Sequence, residues 1–356
     1  MTGRHLVTLL PGDGIGPEVT GAACQVIEAS GAHVSWEAFE VGMPAVRRGG
    51  DPLPNAVVES VRRNGVALKG PVTTLPAGLR SVNVALRRTL DLYCQARRCR
   101  SVPGVPSRYS GVDLVVLRET TEDLYAGVEV ESGDGAERVI ASLGARGATV
   151  PTGAGLSIKY TSEAAARRMV HFALAWARRN GRKRITVVHK ATVMRATDGL
   201  FLAAAREIAQ EEGDVELDDC LVDSLAAQLV RCPERFDVLV TSNLYGDILS
   251  DLGAGLVGSV GLVPGANFGD GVALFEPGHG SAPRHAGHDR ANPIGTILSG
   301  AMMLRHLGEL EAARRVEDGI ARVVSEGRAV TYDIAGPHRQ VVGTAAFADA
   351  VCVAMG

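Results

Sequence analysis

The chain has 356 residues, enough for one large or two medium domains around a sizeable core. Apolar residues make up 46% of it, which excludes a disordered chain. With a formal net charge of −3 and no long basic tract, it also lacks the electrostatic footprint of a nucleic-acid binder.

In chain order, HLVTLLPGDGIGPEV reads as a buried strand, a glycine-rich turn and a helix from Pro17 to about Ala29. The dinucleotide signature G-x-G-x-x-G is absent there, and a tight turn accounts for the glycines equally well. A strand around His33 to Glu40, a helix around Pro54 to Asn64 and a strand ending at VALKG follow. Lys69-Gly70-Pro71 and Thr73-Thr74 then form a loop with free hydroxyls and amides. Next, Ser81, Asn83 and Arg87 mark a helix start with polar groups on one side, and Arg97, Arg98 and Arg100 fall at its far end. Arginines grouped near other polar residues can clamp carboxylates with paired hydrogen bonds.

Val112 to Leu117 is a strongly apolar strand that ends in Arg118 and Glu119, with Tyr125 in the loop beyond. The glycine-rich stretch from Gly127 to Gly155 reads as an arm or short hairpin outside the core. A helix from Ser162 to Arg179 carries an apolar stripe at Ala166, Met169, Val170, Ala173 and Leu174. The buried strand RITVVH then delivers His189 and Lys190, where a lysine near other cations suits a base poised near neutrality. After a helix of about Gly199 to Glu211, Asp223 opens another helix, a place where capping alone would explain it.

The apolar run FDVLVTS leads into NLYGDILSDLGAGLVG, and there Asp247 and Asp251 lie four residues apart. Helical spacing puts both carboxylates on one face, one turn apart. A solvated helix face would tolerate them; so would a hard divalent ion such as Mg²⁺ or Mn²⁺, which takes oxygen ligands. Their position just past a buried strand favours the second reading, because open α/β sheets bind ligands there. The following stretch, PGANFGDGVALFEPGHGSAPRHAGHDRANP, is dense in Gly, Pro and His and reads as a long functional loop whose amides could cradle an anion. A core helix, a helix from about Leu310 to Glu326, the segment VTYDIAGPHRQ and a C-terminal helix complete the chain.

Six cysteines form no C-x-x-C, so buried free thiols in a reducing compartment are expected. The apolar run Leu6 to Leu10 has no cleavage region after it, and Leu252 to Ala266 is broken by glycines and a proline. These features predict a soluble, cytoplasmic protein with neither nucleic acid nor membrane as partner.

The segments LLPGDGIGPEV, KGP, SVNVALRRTLDLY, RETTEDLYAGVE, VHKATVM, NLYGDILSDLGAGLVG, HGSAP and ANP span nearly the whole chain. In that order they resemble the metal-dependent β-decarboxylating dehydrogenases, the family of isocitrate, homoisocitrate, 3-isopropylmalate and tartrate/malate dehydrogenases. The resemblance implies a two-domain α/β fold that is not a Rossmann fold, with a clasp arm for dimerisation. A large cofactor-binding domain would comprise 1–92 and 258–356, and a small dimerisation domain 93–257 with the arm at about 127–160.

The resemblance also implies roles. Asp247 and Asp251 match metal ligands for Mg²⁺ or Mn²⁺, with Asp223 contributed by the neighbouring subunit of a homodimer. Arg87, Arg97 and Arg118 match a substrate carboxylate clamp, and Ser81 and Asn83 match the residues that hold the γ-carboxylate of isocitrate. Tyr125 and Lys190 match the acid/base pair, Lys190 again from the partner. Thr73, His279, Gly280, Ala282, Arg284, His285, Asn292 and Tyr332 match cofactor-binding positions. The implied reaction is oxidative β-decarboxylation of a 2-hydroxy acid, isocitrate to 2-oxoglutarate, with NAD(P)⁺.

Departures from the isocitrate pattern are Thr120 for Asn, Arg98 for Pro and Gly278 for Thr or Val. The first two are expected beside the substrate, which admits an analogue such as 3-(phosphonomethyl)malate or homoisocitrate. A non-catalytic regulatory subunit is the alternative of another class; it would lose site residues that this chain keeps. After H-G-S-A-P, Arg284-His285 replace the Asp-Ile pair typical of NAD-dependent members, and Tyr332 matches a tyrosine of NADP-dependent ones. NADP is therefore expected, with NAD the alternative and Arg339 a second candidate cation for the 2′-phosphate.

Overall fold

A computed structural model describes residues 4–73, 81–145, 147–212, 215–336 and 339–356. Short runs of aliphatic and β-branched residues make the first strands, β1 (His5–Leu10), β2 (Val34–Ala38) and β3 (Val66–Lys69). Between them lie α1 (Gly16–Ala29), the short α2 (Met43–Arg47) and α3 (Asn55–Asn64). After α4 (Val82–Thr89) come β4 (Cys94–Arg100) and β5 (Asp113–Glu119). The arm consists of β6 (Glu129–Val130), α5 (Asp134–Gly144) and β7 (Leu156–Ser157). Helices and strands then alternate through α6 (Glu163–Arg179), β8 (Arg184–His189), α7 (Asp198–Glu212), β9 (Glu216–Leu221), α8 (Val222–Arg231) and β10 (Val238–Thr241). The last elements are α9 (Asn243–Val257), β11 (Pro264–Gly269), β12 (Val272–Pro277), α10 (Ile294–Leu307), α11 (Leu310–Glu326) and α12 (Thr344–Met355).

Ten strands form one mixed sheet in the order β2-β1-β3-β12-β11-β4-β5-β10-β8-β9, and β6 pairs with β7 outside it. The outer portions are parallel, whereas β12, β11, β4 and β5 are successively antiparallel. One core packs α1, α10, α11 and α12 on the first portion around Ile27, Phe275, Ile297 and Phe347. Another packs α6 and α7 on β5, β8 and β10 around Met169, Leu174, Val187 and Ile208. No described helix is long and apolar enough to cross a membrane.

Several expectations need correction. Arg97, Arg98 and Arg100 are not at the end of a helix: α4 stops at Thr89, and all three lie on β4. The supposed long loop after the acid helix begins as the antiparallel hairpin β11–β12, with Ala266 opposite Phe275. The arm is a two-stranded hairpin as expected but also carries α5, and the edge strand β9 precedes Asp223. Thr74 lies outside the described residues.

Candidate active site

The pleat of the central strands builds a polar row. Paired residues on adjacent strands share a face, as do alternate residues along one strand. Arg118 on β5 pairs with Gln95 on β4, Gln95 with Asn267 on β11, Arg97 with Gly265, and Gly265 with Glu276 on β12. These side chains therefore line one face, and Lys69 joins them from β3. Lys69 lies 2.7 Å from Glu276 and both are buried; Asn267 donates to Glu276 at 2.9 Å, and Arg87 donates to Asn267 at 3.2 Å. Burial works against the Glu276 carboxylate, but Lys69, Arg87 and Arg97 prevail and hold its pKa down at about 2. Lys69, expected from the sequence at the start of a loop, is instead the buried last residue of β3. Glu276 is not singled out in the sequence, although a charge inside the apolar run VALFEP is the kind of signal that marks a buried partner.

Next to this row stands α9. Asn243 in its first turn accepts from Arg118 Nε at 2.9 Å and Nη2 at 2.7 Å. One turn later Asp247 accepts from Arg118 Nη1 and from the Tyr125 hydroxyl, and the Arg118 guanidinium lies 4.8 Å from the Tyr125 ring centroid. Gly246 permits this approach, since a Cβ there would fall 2.4 Å from Thr241 Oγ1 and 2.5 Å from Arg118 Cβ. The Tyr125 phenol is raised above its ordinary pKa, first by burial and then by Asp247. Asp251 is exposed a turn beyond Asp247.

Lys190, just past β8, and Asp223, in the first turn of α8, form a separate pair at 2.6 Å. Among the described residues of one chain, no cluster of three or more Asp, Glu, His or Cys is placed to hold a metal ion. Asp247 and Asp251 supply hard oxygen donors of the right chemistry for a divalent cation, but a full donor set needs groups beyond these two.

Arg98 is not beside this site. Adjacent strand residues face opposite ways, so where Arg97 joins the polar row, Arg98 turns to the other face. There it lies 3.6 Å from Asp113 and 3.8 Å from Glu317 on α11. Thr120 spends its hydroxyl on the backbone carbonyl of Leu92. Gly278 leaves room for Arg97, whose Nη1 would lie 2.4 Å from a Cβ at that position. Ser81 is the residue before α4, with Asn83 in that helix's first turn and Arg87 in its last, near Glu276.

A second hollow, of about 290 Å³, is lined by His279, Gly280, Ala282, His285, Asn292 and Tyr332, together with Ile15 and Asp333. Burial lowers the His279 pKa, which favours a neutral ring. Asp333 was not expected; it accepts from Asn292 at 2.9 Å and from Ser259 at 3.2 Å. The His285 and Tyr332 rings stack at 6.2 Å, and Arg290 covers Tyr332 at 4.2 Å. Arg284 is exposed in the same 3₁₀ turn as His285. Gly14, at φ 59°, lets the first loop touch the Ser281 carbonyl, and the Thr73 hydroxyl meets that of Ser281 at 2.7 Å. Arg339 does not reach the hollow; it packs on Gly327 and donates to the Val324 carbonyl at 3.4 Å.

The family model described as isocitrate/isopropylmalate dehydrogenase matches residues 6–351. The human protein named isocitrate dehydrogenase [NAD] subunit alpha, mitochondrial, is 41% identical over 338 residues, covering 94% of this chain and 87% of that one. A Dictyostelium discoideum protein named as a mitochondrial regulatory chain of isocitrate dehydrogenase [NAD] is 40% identical over 337 residues, with 94% and 87% covered. The crystal structure of isocitrate dehydrogenase from Methylococcus capsulatus superposes with a TM-score of 0.89 at 46% identity, covering 99% of each chain. The chain belongs to the isocitrate/isopropylmalate dehydrogenase family of decarboxylating dehydrogenases.

Proposed function

We propose that this protein oxidises isocitrate and decarboxylates the product to 2-oxoglutarate, as a homodimer whose two sites are each built from both chains. The observation that carries the reading is Asp247 held between Arg118 and Tyr125, beside the cationic row of Arg87 and Arg97. Arg87, Arg97 and Arg118 would hold the substrate carboxylates. Tyr125, with its raised pKa, keeps its proton at neutral pH and donates it to C3 after CO₂ leaves. Lys190 of the partner subunit would take the hydroxyl proton as hydride leaves C2 for NAD(P)⁺. Asp247 and Asp251, with Asp223 of the partner subunit, would hold a divalent cation, which when bound stabilises negative charge developing on the substrate oxygens.

Arg98 on the opposite sheet face removes the argument for a more highly charged γ-group, so isocitrate is preferred over its analogues. A regulatory subunit would not need Tyr125, Lys190 and the three aspartates together. For the cofactor, the NAD-named relatives do not support NADP as first choice, whereas Arg284, His285, Arg290 and Tyr332 give this chain a cationic, aromatic rim. The deciding measurement is absorbance at 340 nm with isocitrate, Mg²⁺ and each cofactor, with and without a chelator. The proposal requires turnover that chelation abolishes and Mg²⁺ restores; inert protein, or faster turnover of homoisocitrate, isopropylmalate or phosphonomethylmalate, would overturn it.

A further inference from the structure

Where the arm joins the catalytic elements there is a buried ion cluster that none of the roles above uses. Lys159 lies just past β7, its ammonium 2.7 Å from Asp198 Oδ1, 3.5 Å from Asp123 Oδ1 and 4.6 Å from the Tyr245 ring centroid. The two aspartates are 2% and 1% exposed, respectively. Each also fixes backbone that leads to a proposed catalytic group. Asp198 accepts from the Lys190 amide at 2.7 Å. Asp123 accepts from the Leu244 amide, in the first turn of α9, at 2.9 Å, and from the Leu124 amide, in the turn that carries Tyr125, at 2.8 Å. It does so at φ 68°, a left-handed backbone that the surrounding contacts must hold in place.

Two buried carboxylates share one ammonium here. Without that charge, the two buried carboxylates would lose the cation they share, and one or both would have to turn towards water or draw the surrounding backbone out of place. Either change weakens the grip on an amide. We propose that Lys159 is a positioning residue that ties the Tyr125–Asp247 half-site to the Lys190–Asp223 half-site through the root of the arm. The proposal rests on the acid/base reading of Tyr125 and Lys190. In the proposed dimer these two half-sites of one chain serve different active sites, so Lys159 also joins one site to the other.

The test compares Lys159→Met and Lys159→Arg with wild type in the full-length protein, using isocitrate, Mg²⁺ and the preferred cofactor. Lys159→Met is expected to lose about 100-fold in kcat, the scale of a misplacement of about 1 Å, with KM for isocitrate unchanged. Lys159→Arg, which keeps the charge, should recover most of the rate. Hydrogen exchange gives a readout independent of turnover: the Lys190 and Leu244 amides should exchange faster together in Lys159→Met, while the middle of α6 keeps its protection. If the methionine variant does not fold, Lys159→Gln carries the same expectations. Unchanged kcat, a change at only one of the two amides, or a uniform loss of protection that follows a lower Tm would overturn the proposal. Tyr125→Phe and Lys190→Met are assayed in parallel. Wild-type turnover in either would refute the acid/base reading, while the exchange data would still judge the tie itself.

Discussion

At the residue scale, two side chains make separate, measurable claims. Glu276 is buried with Lys69, and its carboxyl pKa is lowered from 4.5 to about 2. A lowered pKa means that the folded state holds the proton less tightly than the unfolded one. The resulting stability is present above about pH 4.5 and is lost as pH falls towards about 2. Glu276→Gln leaves Lys69 buried without its anion and should cost about 3–5 kcal/mol, the usual penalty for breaking a buried pair. Urea denaturation at pH 7 should show that loss, and the gap from wild type should narrow below pH 4.5; equal stability at pH 7 would contradict it. Arg284 bears on the proposed cofactor site instead. If the ribose lies there, a carboxylate at 284 would accept hydrogen bonds from its hydroxyls and repel a 2′-phosphate, whereas the arginine would attract that phosphate. Arg284→Asp should therefore lower the ratio of kcat/KM for NADP over that for NAD by roughly 10-fold or more, on the basis of about 1.5–3 kcal/mol for one charge-assisted bond. An unchanged ratio would make Arg284 a solvated loop residue.

At the scale of elements, α9 depends on one glycine. A Cβ at Gly246 would meet Arg118 Cβ and Cγ at 2.5 Å, and neither is the free end of a flexible side chain. Gly246→Ala must move the helix off β5, taking Asn243 and Asp247 with it. Overpacking of this kind costs about 1–3 kcal/mol, and a shift of about 1 Å at the clamp should lower kcat by roughly 100-fold. Thermal melts and steady-state kinetics read both, and a fully active variant would show that α9 need not touch Arg118. This helix was legible in the sequence because the two acids at helical spacing follow an unmistakable apolar strand. By contrast β4 was not, since CQARRCR has four polar residues in seven. Gln95 and Arg97 serve the polar row on one face, while Arg98 and Arg100 meet Asp113 and Glu317 on the other. Cys94 and Ala96 alternate with Gln95 and Arg97, but Arg98 and Cys99 reverse the pattern, so no apolar face runs the length of the strand. Missing the strand also misplaced Arg98, because only the pleat reveals that Arg97 and Arg98 point apart. The β11–β12 hairpin hid in the same way behind Gly265, Asn267, Gly269 and Glu276.

For the whole molecule, the proposed function requires two separated groups to meet in one site. Tyr125 and Asp247 sit together, and Lys190 and Asp223 sit together, as two distinct groups within a chain. Large apolar side chains remain exposed around both: Ile248 on α9 at 60%, Val230 on α8 at 46%, Val193 beyond Lys190 at 71%, and Val128 and Ile158 beside the arm strands at 41% and 43%. In the proposed dimer these side chains would be covered by an isologous contact with a second copy. Such a contact would let the Lys190–Asp223 group of one chain face the Tyr125–Asp247 group of the other. Subunit mixing tests this directly. Lys190→Met and Tyr125→Phe chains should each be inactive as homodimers. In a mixed dimer, one site draws Tyr125 from the first chain and Lys190 from the second and is intact, while the other site lacks both. With random exchange half of the dimers are mixed and half of their sites work, so recovery should approach about a quarter of wild-type activity. The mixed dimer can be isolated with two different affinity tags, and its kcat per intact site should then equal that of wild type. Verified exchange without recovery would place Tyr125 and Lys190 in the same chain's site and would require a conformation that brings them together within it.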